Sequence, residues 1–346
     1  MNTKLNCPSD IIRAKAPEIL EAVRRAESIL LHCHPKPDPD SVGCALATKF
    51  VLERMGKKVT IIKGDSDIPE AFMHFPGAQD IVKQDYFETD LSKFDLFLIQ
   101  DTAALNMISK KGEIVFPKNL KTVVIDHHKS NNIQADISLV EYNYPATAQI
   151  LTDIFSLWNV EFDRDIAENL FAGLYTDTRF KYPGVNTHTF EVATLLSSFI
   201  PSISKVIDPI DNSETPKSKI FKGIGLSNIE VYCGGHFAMS FITYDDIQKH
   251  KITESDIFPH TISMELNSVK EYYFSVCLIE TSPDFVRASF RSQDGNKYDV
   301  SLLAANISGG GHKAAAGASI DMSLDKAKDI LVKKAEEMYN QALNKN

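Results

Sequence analysis

The sequence predicts an α/β protein: a doubly wound, mostly parallel sheet followed by a second, smaller α/β domain at the C-terminal end. Three observations predict it. Short apolar, β-branched runs alternate with helical periodicities through the first half of the chain, the pattern of parallel βαβ units. Asp and His residues follow directly on several of those runs, at the strand ends where open α/β sheets bind ligands. Beyond residue 225 the apolar runs shorten and alternate with polar positions, as half-exposed strands do.

Length supports the division, because 346 residues exceed one ordinary domain. A polar, Pro-bearing stretch over residues 206–225 is the expected linker, between domains at 1–205 and 226–346. The 46 acidic residues outnumber the 37 basic ones, for a net charge of −9. That excludes a broad basic surface for long duplex nucleic acid but not a small anion site. Five cysteines (Cys7, Cys33, Cys44, Cys233 and Cys277) are odd in number and lack C-x-x-C spacing. They read as reduced thiols, with Cys33 and Cys44 as packing residues, and imply a cytoplasmic protein. Neither a signal peptide nor an apolar run of membrane-spanning length is expected.

In order, Ser9 and Asp10 open an amphipathic helix to residue 27, and Ser28–Cys33 is the first strand. His34-Pro-Lys-Pro-Asp38-Pro-Asp40 follows, and its three prolines predict a rigid turn presenting both carboxylates. Ser41–Met55 is a helix ended by Gly56, and Lys57–Lys63 a second strand. Residues 64–92 are loop-rich. Phe94–Gln100 is a third strand, followed by Asp101-Thr102. Thr122–Ile125 is a fourth, followed by Asp126-His127-His128. Helices are predicted from Pro145 to Trp158 and from Asp165 to Tyr175, the latter running into Asp177.

Asp and His thus arrive at one sheet edge from four chain segments. Loops are rich in Asp for turn chemistry alone, so any one of these loops means little. Four of them, two with His, would bring five carboxylates and up to three imidazoles together, which repel unless cations lie between. Two divalent ions sharing a carboxylate resolve that conflict and activate water for displacement at phosphorus.

His34-x-x-Pro37-Asp38-x-Asp40-x-x-Gly43, Asp101-Thr102, Asp126-His127-His128 and Gly173-Leu-Tyr-Thr-Asp177-Thr resemble, in order, the motifs of the DHH phosphoesterase family. The resemblance implies a parallel α/β domain with two divalent metal ions, Mn²⁺ by preference. By motif, His34 and Asp38 would hold one ion, Asp40, His127 and Asp177 the other, and Asp101 both. Asp126 would orient a histidine, and His128 would face the phosphate as donor or proton source; these two are the candidate catalytic residues. Arg179, with Lys181 after it, stands where the family often has Gly just after the fourth motif, which adds a phosphate contact or alters the loop.

Strands are expected at Ile229–Cys233, Phe237–Ile242, Tyr272–Glu280 and Val286–Phe290, and a closing helix at Asp325–Tyr339 with Ser323 as cap. Arg291-Ser292 and Ser308-Gly309-Gly310-Gly311-His312 followed by Ala-Ala-Gly resemble the DHH-associated domain, which grips the nucleotide end of the substrate. Arg291, Ser292, Gly309, Gly310, Gly311 and His312 would then bind substrate. The glycine run suits close backbone approach to an anion, with the Ala-rich stretch offering a helix N-terminus behind it. The compact two-domain layout resembles the nanoRNase and 3′-phosphoadenosine 5′-phosphate (pAp) phosphatase type. A RecJ-like exonuclease, a cyclic-dinucleotide phosphodiesterase and a non-catalytic nucleotide sensor are the alternatives. Expected partners are short nucleotides or oligonucleotides, with no long duplex and no membrane; a homodimer is allowed for.

Overall fold

Ser9 caps the first helix by accepting the Ile12 N–H, and Ile12, Ala16, Ile19 and Val23 then recur on one buried face of α1 (Asp10–Arg25). The structure is a computed structural model that describes residues 8–182 and 184–344; the Cys7 thiol lies outside them. The chain divides into two compact units, Met1–Ser213 and Glu214–Asn346.

In the first unit β1 (Ser28–His32), α2 (Pro39–Arg54), β2 (Lys58–Ile62), β3 (Leu96–Gln100), β4 (Lys121–Asp126) and β5 (Ile137–Val140) build the sheet region. Helices α3 (Thr147–Leu157), α4 (Arg164–Thr178), α5 (Thr187–Ser197) and α6 (Ile203–Asp211) follow. The strands form an all-parallel sheet in the order β2-β1-β3-β4-β5. Alternate strand residues serve two cores: Ile29 and Leu31 pack with residues of α1 to α6, whereas Leu30, Phe97, Ile99 and Val124 face the other side. Irregular segments through Tyr86, Ile108, Ile114 and Ile133 cover that second side.

Two local expectations change. α2 begins at Pro39, so Asp40 lies in a helical turn rather than on a rigid loop, and Asp38 is the cap, accepting the Ser41 N–H at 2.9 Å. Proline is tolerated at the first helical position because its missing N–H would be unpaired there anyway. β5 was not anticipated; its four residues, Ile-Ser-Leu-Val, are too few to show a period. The expected linker region is mostly helical, with α6 and α7 (Pro216–Ser227) separated by residues 212–215.

The second unit continues through β6 (Ile229–Tyr232), β7 (Phe237–Ile242), α8 (Tyr244–Lys249), α9 (Pro259–Asn267), β8 (Phe274–Ser282) and β9 (Phe285–Ser292). It closes with α10 (Val300–Ala305), β10 (Gly310–His312), β11 (Ala315–Asp321) and α11 (Leu324–Leu343). Its sheet has the order β10-β11-β9-β8-β7-β6, with β7 and β8 parallel and the other neighbours antiparallel. The Ala-rich stretch is therefore the strand β11, not a helix. Seven residues of β11 pair with β9, and that ladder overrides the helical preference of alanine. Ser323 does sit at the start of α11, but its side chain makes no capping hydrogen bond.

Candidate active site

Each candidate metal-binding or catalytic residue of the first unit sits where an element begins or ends. His34 follows β1, Asp38 and Asp40 open α2, Asp101 follows β3, Asp126 to His128 close β4, and Asp177 lies in the last turn of α4. Donor atoms of Asp40, Asp101, His127 and Asp177 all lie within 4.8 Å of one another. Those of His34, Asp38 and Asp101 do the same. Asp101 alone belongs to both groups, and it holds a left-handed backbone (φ 53°) that aspartate tolerates better than most residues.

The chain fixes these side chains from several directions. Asp40 is fully buried, and its carboxylate accepts the Thr147 N–H at 2.8 Å and the Ala148 N–H at 3.0 Å. Ala146, at the start of α3, offers no side-chain cap, so Asp40 satisfies the first amides of that helix and meets its positive dipole end. The Thr147 hydroxyl donates to Asp101 at 3.1 Å. Gly173 in α4 lies so close to Asp40 that a Cβ would stand 2.4 Å from its Oδ1. His127 Nδ1 donates to the Tyr144 carbonyl at 3.3 Å, which leaves Nε2 toward Asp101 (3.5 Å) and Asp177 (3.4 Å). Tyr144 is held in turn through its hydroxyl by the buried Asp153, 2.8 Å away, which also pairs with His188 at 2.9 Å. His128 Nδ1 donates to Asp126 Oδ1 at 2.8 Å, and Asn131 donates to Asp126 Oδ2 at 2.7 Å.

Electrostatics show what this cluster is suited to hold. Burial, then the Asp101 charge, raises Asp40 to about 7, and burial with the Asp40 and Asp101 charges raises Asp177 well above its usual range. Burial disfavours the His34 and His127 cations, but the neighbouring carboxylates outweigh it and raise both to about 9. Burial also pushes Asp126 up, yet the His128 and Asn131 hydrogen bonds hold it below the usual carboxylate range. The protein thus retains protons where anions crowd, and a bound cation would displace them. His34 Nδ1 and His127 Nε2 are buried and have no hydrogen-bond partner among the described residues. Oxygen and imidazole donors of this kind suit Mn²⁺ or Zn²⁺, so the residues present fit two divalent ions sharing Asp101. Cys33 is not a donor, since burial, then the Asp38 charge, pushes its thiol up to about 12. His32 points away from the donors; its ring nitrogens meet the Cys33 carbonyl and the Thr102 hydroxyl. Arg179 is tied to Asp211 and lies over the Tyr175 ring. It is therefore engaged within the protein, whereas Lys181 is exposed.

In the second unit the sheet register aligns Arg291, Ala315 and His312 in one row across β9, β11 and β10. Cross-strand partners point to the same face, so small Ala315 leaves open space between two donor side chains. Arg291 is half-buried and has no carboxylate partner among the described residues; its guanidinium donates to the Phe290 carbonyl. Gly310 pairs with Gly317 two rows away, and Gly309 and Gly310 line a hollow of ≈ 550 Å³ with Arg287. Gly311 has φ 144°, which favours glycine there. Ser292 is separate: adjacent to Arg291 on a strand, it points to the opposite face and is buried with its hydroxyl unpartnered.

Sequence reasoning missed Thr147 and Ala148, Asn131, Tyr144, Asp153 and His188. The helix start after Pro145 was visible, but nothing local says that its free amides meet Asp40.

A model of the DHH family, N-terminal domain, matches residues 28–174. The bifunctional oligoribonuclease and PAP phosphatase NrnA of Bacillus subtilis is 26% identical over 323 residues, 91% of this chain and 96% of that protein. Uncharacterized protein MJ1633 of Methanocaldococcus jannaschii is 27% identical over 89% of this chain, which spans only 62% of that protein's length. The crystal structure of an exopolyphosphatase-related protein from Bacteroides fragilis superposes with a TM-score of 0.85 at 22% identity, over 95% of this chain and 98% of that one, and so shares the fold. With the DHH motifs standing in order around one donor cluster, residues 28–174 are a DHH-family N-terminal domain, the domain of a phosphoesterase that hydrolyses phosphate ester bonds.

Proposed function

We propose that this protein is a Mn²⁺-dependent phosphoesterase that hydrolyses dinucleotides such as pApA or pGpG and other short oligonucleotides, and also removes phosphate from pAp. One observation carries the proposal: Asp101 is common to two groups of metal donors, His34 and Asp38 on one side and Asp40, His127 and Asp177 on the other. Two ions held there would supply Lewis-acid stabilisation of the phosphoryl oxygens and a lowered pKa for attacking water. His128 holds its Nδ1 proton on Asp126, which raises its pKa and leaves Nε2 to donate to a phosphate oxygen or the leaving group. Arg291 and His312, aligned on one face of the second sheet, bind the nucleotide end of the substrate, with the Gly309–Gly311 backbone beside them. The similarity to NrnA over nearly the full length of both chains supports the substrate class. A cytoplasmic location belongs to the same reading, as the cysteine pattern suggests.

The excess of acidic residues sets the substrate length. Without a cationic track, nucleotides beyond the first few gain no contacts, so the shortest substrates should be cut best. The test is Mn²⁺-titrated hydrolysis of pAp, 2-mer, 5-mer and 24-mer RNA and a cyclic dinucleotide at one salt concentration. The expected result is a kcat/KM that is highest for the 2-mer and falls with length. A value that is equal or rises with length would favour a processive exonuclease. Binding without turnover of any substrate would make the protein a sensor.

A further inference from the structure

A cavity of ≈ 570 Å³ opens beside the donor cluster, with His127 and Asp177 in its wall and Tyr142, Tyr144, Pro145 and Tyr182 around the rest. That size lies within the range of small-molecule sites. Its aromatic residues come from two pinned loops. The segment between β5 and α3 is held at Asn143, whose backbone and side-chain N–H groups both donate to Glu141 Oε1, and at Tyr144 by Asp153. The segment after α4 turns through two left-handed residues, Arg179 and Phe180, and Tyr182 is fastened by its N–H to the Thr178 carbonyl at 2.8 Å. Tyr142 is 58% exposed, so it contributes little to the core. Lys129 Nζ stands 5.9 Å from the Tyr142 ring centroid and has no ion-pair partner among the described residues.

An exposed aromatic ring, a cation with no ion-pair partner among the described residues and a metal-donor wall around one preformed cavity match the three parts of a nucleotide: base, phosphate and reacting phosphoryl group. We propose that this cavity seats the nucleoside attached to the scissile phosphate on the metal side. Its base stacks on Tyr142, and Lys129 meets its outer phosphate. The inference rests on the phosphodiesterase reading above and adds a second nucleotide subsite, within the first unit. Rigid loops give the site little ordering to do on binding, so a single stack contributes nearly its full value.

The experiment compares kcat/KM for pApA with kcat/KM for bis(p-nitrophenyl) phosphate, a diester without a nucleobase. It uses the Mn²⁺-loaded full chain, with metal content measured for each variant. In Tyr142→Ala the pApA-to-diester ratio should fall about ten- to a hundredfold, the range of one base–aromatic stack, mostly through KM. Tyr142→Phe keeps an aromatic face and should hold the ratio near wild type. Lys129→Ala should raise KM for pApA more than for the 5′-dephosphorylated dinucleotide ApA. A ratio unchanged in Tyr142→Ala, or lost equally in Tyr142→Phe, overturns the subsite while leaving the phosphodiesterase reading intact. A wild-type protein that cleaves the aromatic diester but no dinucleotide overturns that reading and the subsite with it.

Discussion

Replacing Gly173 with alanine sets two effects of opposite sign against each other. Gly173 lies inside α4, where alanine is the better helix former by about 0.8–1 kcal/mol, so local propensity alone predicts stabilisation. The tertiary structure predicts the reverse. The added Cβ would lie 2.4 Å from Asp40 Oδ1, 2.9 Å from Asp40 Cα and 3.2 Å from the Ala148 Cβ. All three distances are shorter than ordinary contact, and one involves backbone that cannot swing aside. Asp40 is also held by the Thr147 and Ala148 amides, so relief requires moving α2 against both α3 and α4. Overpacking of this kind costs about 1–3 kcal/mol, which exceeds the propensity gain. A displacement of Asp40 by about 1 Å is several times the tolerance of a metal–ligand bond and would lower kcat roughly a hundredfold. The assay is thermal unfolding, Mn²⁺ binding by titration calorimetry and kcat on a dinucleotide. Gly223→Ala in α7 is the control, because a Cβ there meets nothing within 4 Å and should stabilise. A Gly173→Ala protein as stable as that control, with wild-type Mn²⁺ affinity and kcat, would refute the reasoning.

Other substitutions probe the rest of the site. Asp101→Ala should abolish hydrolysis and lose at least one bound ion by metal analysis, since both donor groups include it; two retained ions with near-full activity would sink the shared-ligand assignment. Arg291→Ala should raise KM by about ten- to a hundredfold, the effect of one charge-assisted hydrogen bond of roughly 1.5–3 kcal/mol, with wild-type metal content. The pH test uses His188, whose hydrogen bond to Asp153 raises its pKa against the opposing effect of burial. A raised pKa makes the stabilisation complete below the unfolded value of about 6.5 and lost as pH climbs through the folded value. The Tm difference between wild type and His188→Gln should therefore be larger at pH 6 than at pH 9, and a gap that widens with pH would contradict the pairing. Asn131→Ala removes one of the two side-chain donors to Asp126 and should lower kcat with little change in Mn²⁺ affinity, which separates His128 orientation from metal binding.

Both the parallel sheet and the meeting of Asp and His at one of its edges could be read before any coordinates, for one reason. In a parallel sheet all strands end at the same edge, so residues that follow strands in sequence become neighbours in space. That rule brings His34, Asp101 and Asp126 to His128 to one edge, with Asp38 and Asp40 at the start of the helix after β1; Asp177, in the last turn of α4, follows from no such rule, and its place came only from the resemblance to the DHH motifs. Contacts between distant segments carry no local signal. The amides of Thr147 and Ala148 reach Asp40 across 107 and 108 residues, and the glycine at 173 that admits Asp40 reads in sequence as a weak point in a helix. Tertiary pairing likewise decided the state of residues 315–321. Alanine favours a helix in isolation, but β9 presents an open ladder there, and small side chains allow β11 to lie close on it and β10 close on β11. That pairing is what sets Arg291 and His312 on one face and turns the neighbouring Ser292 to the other.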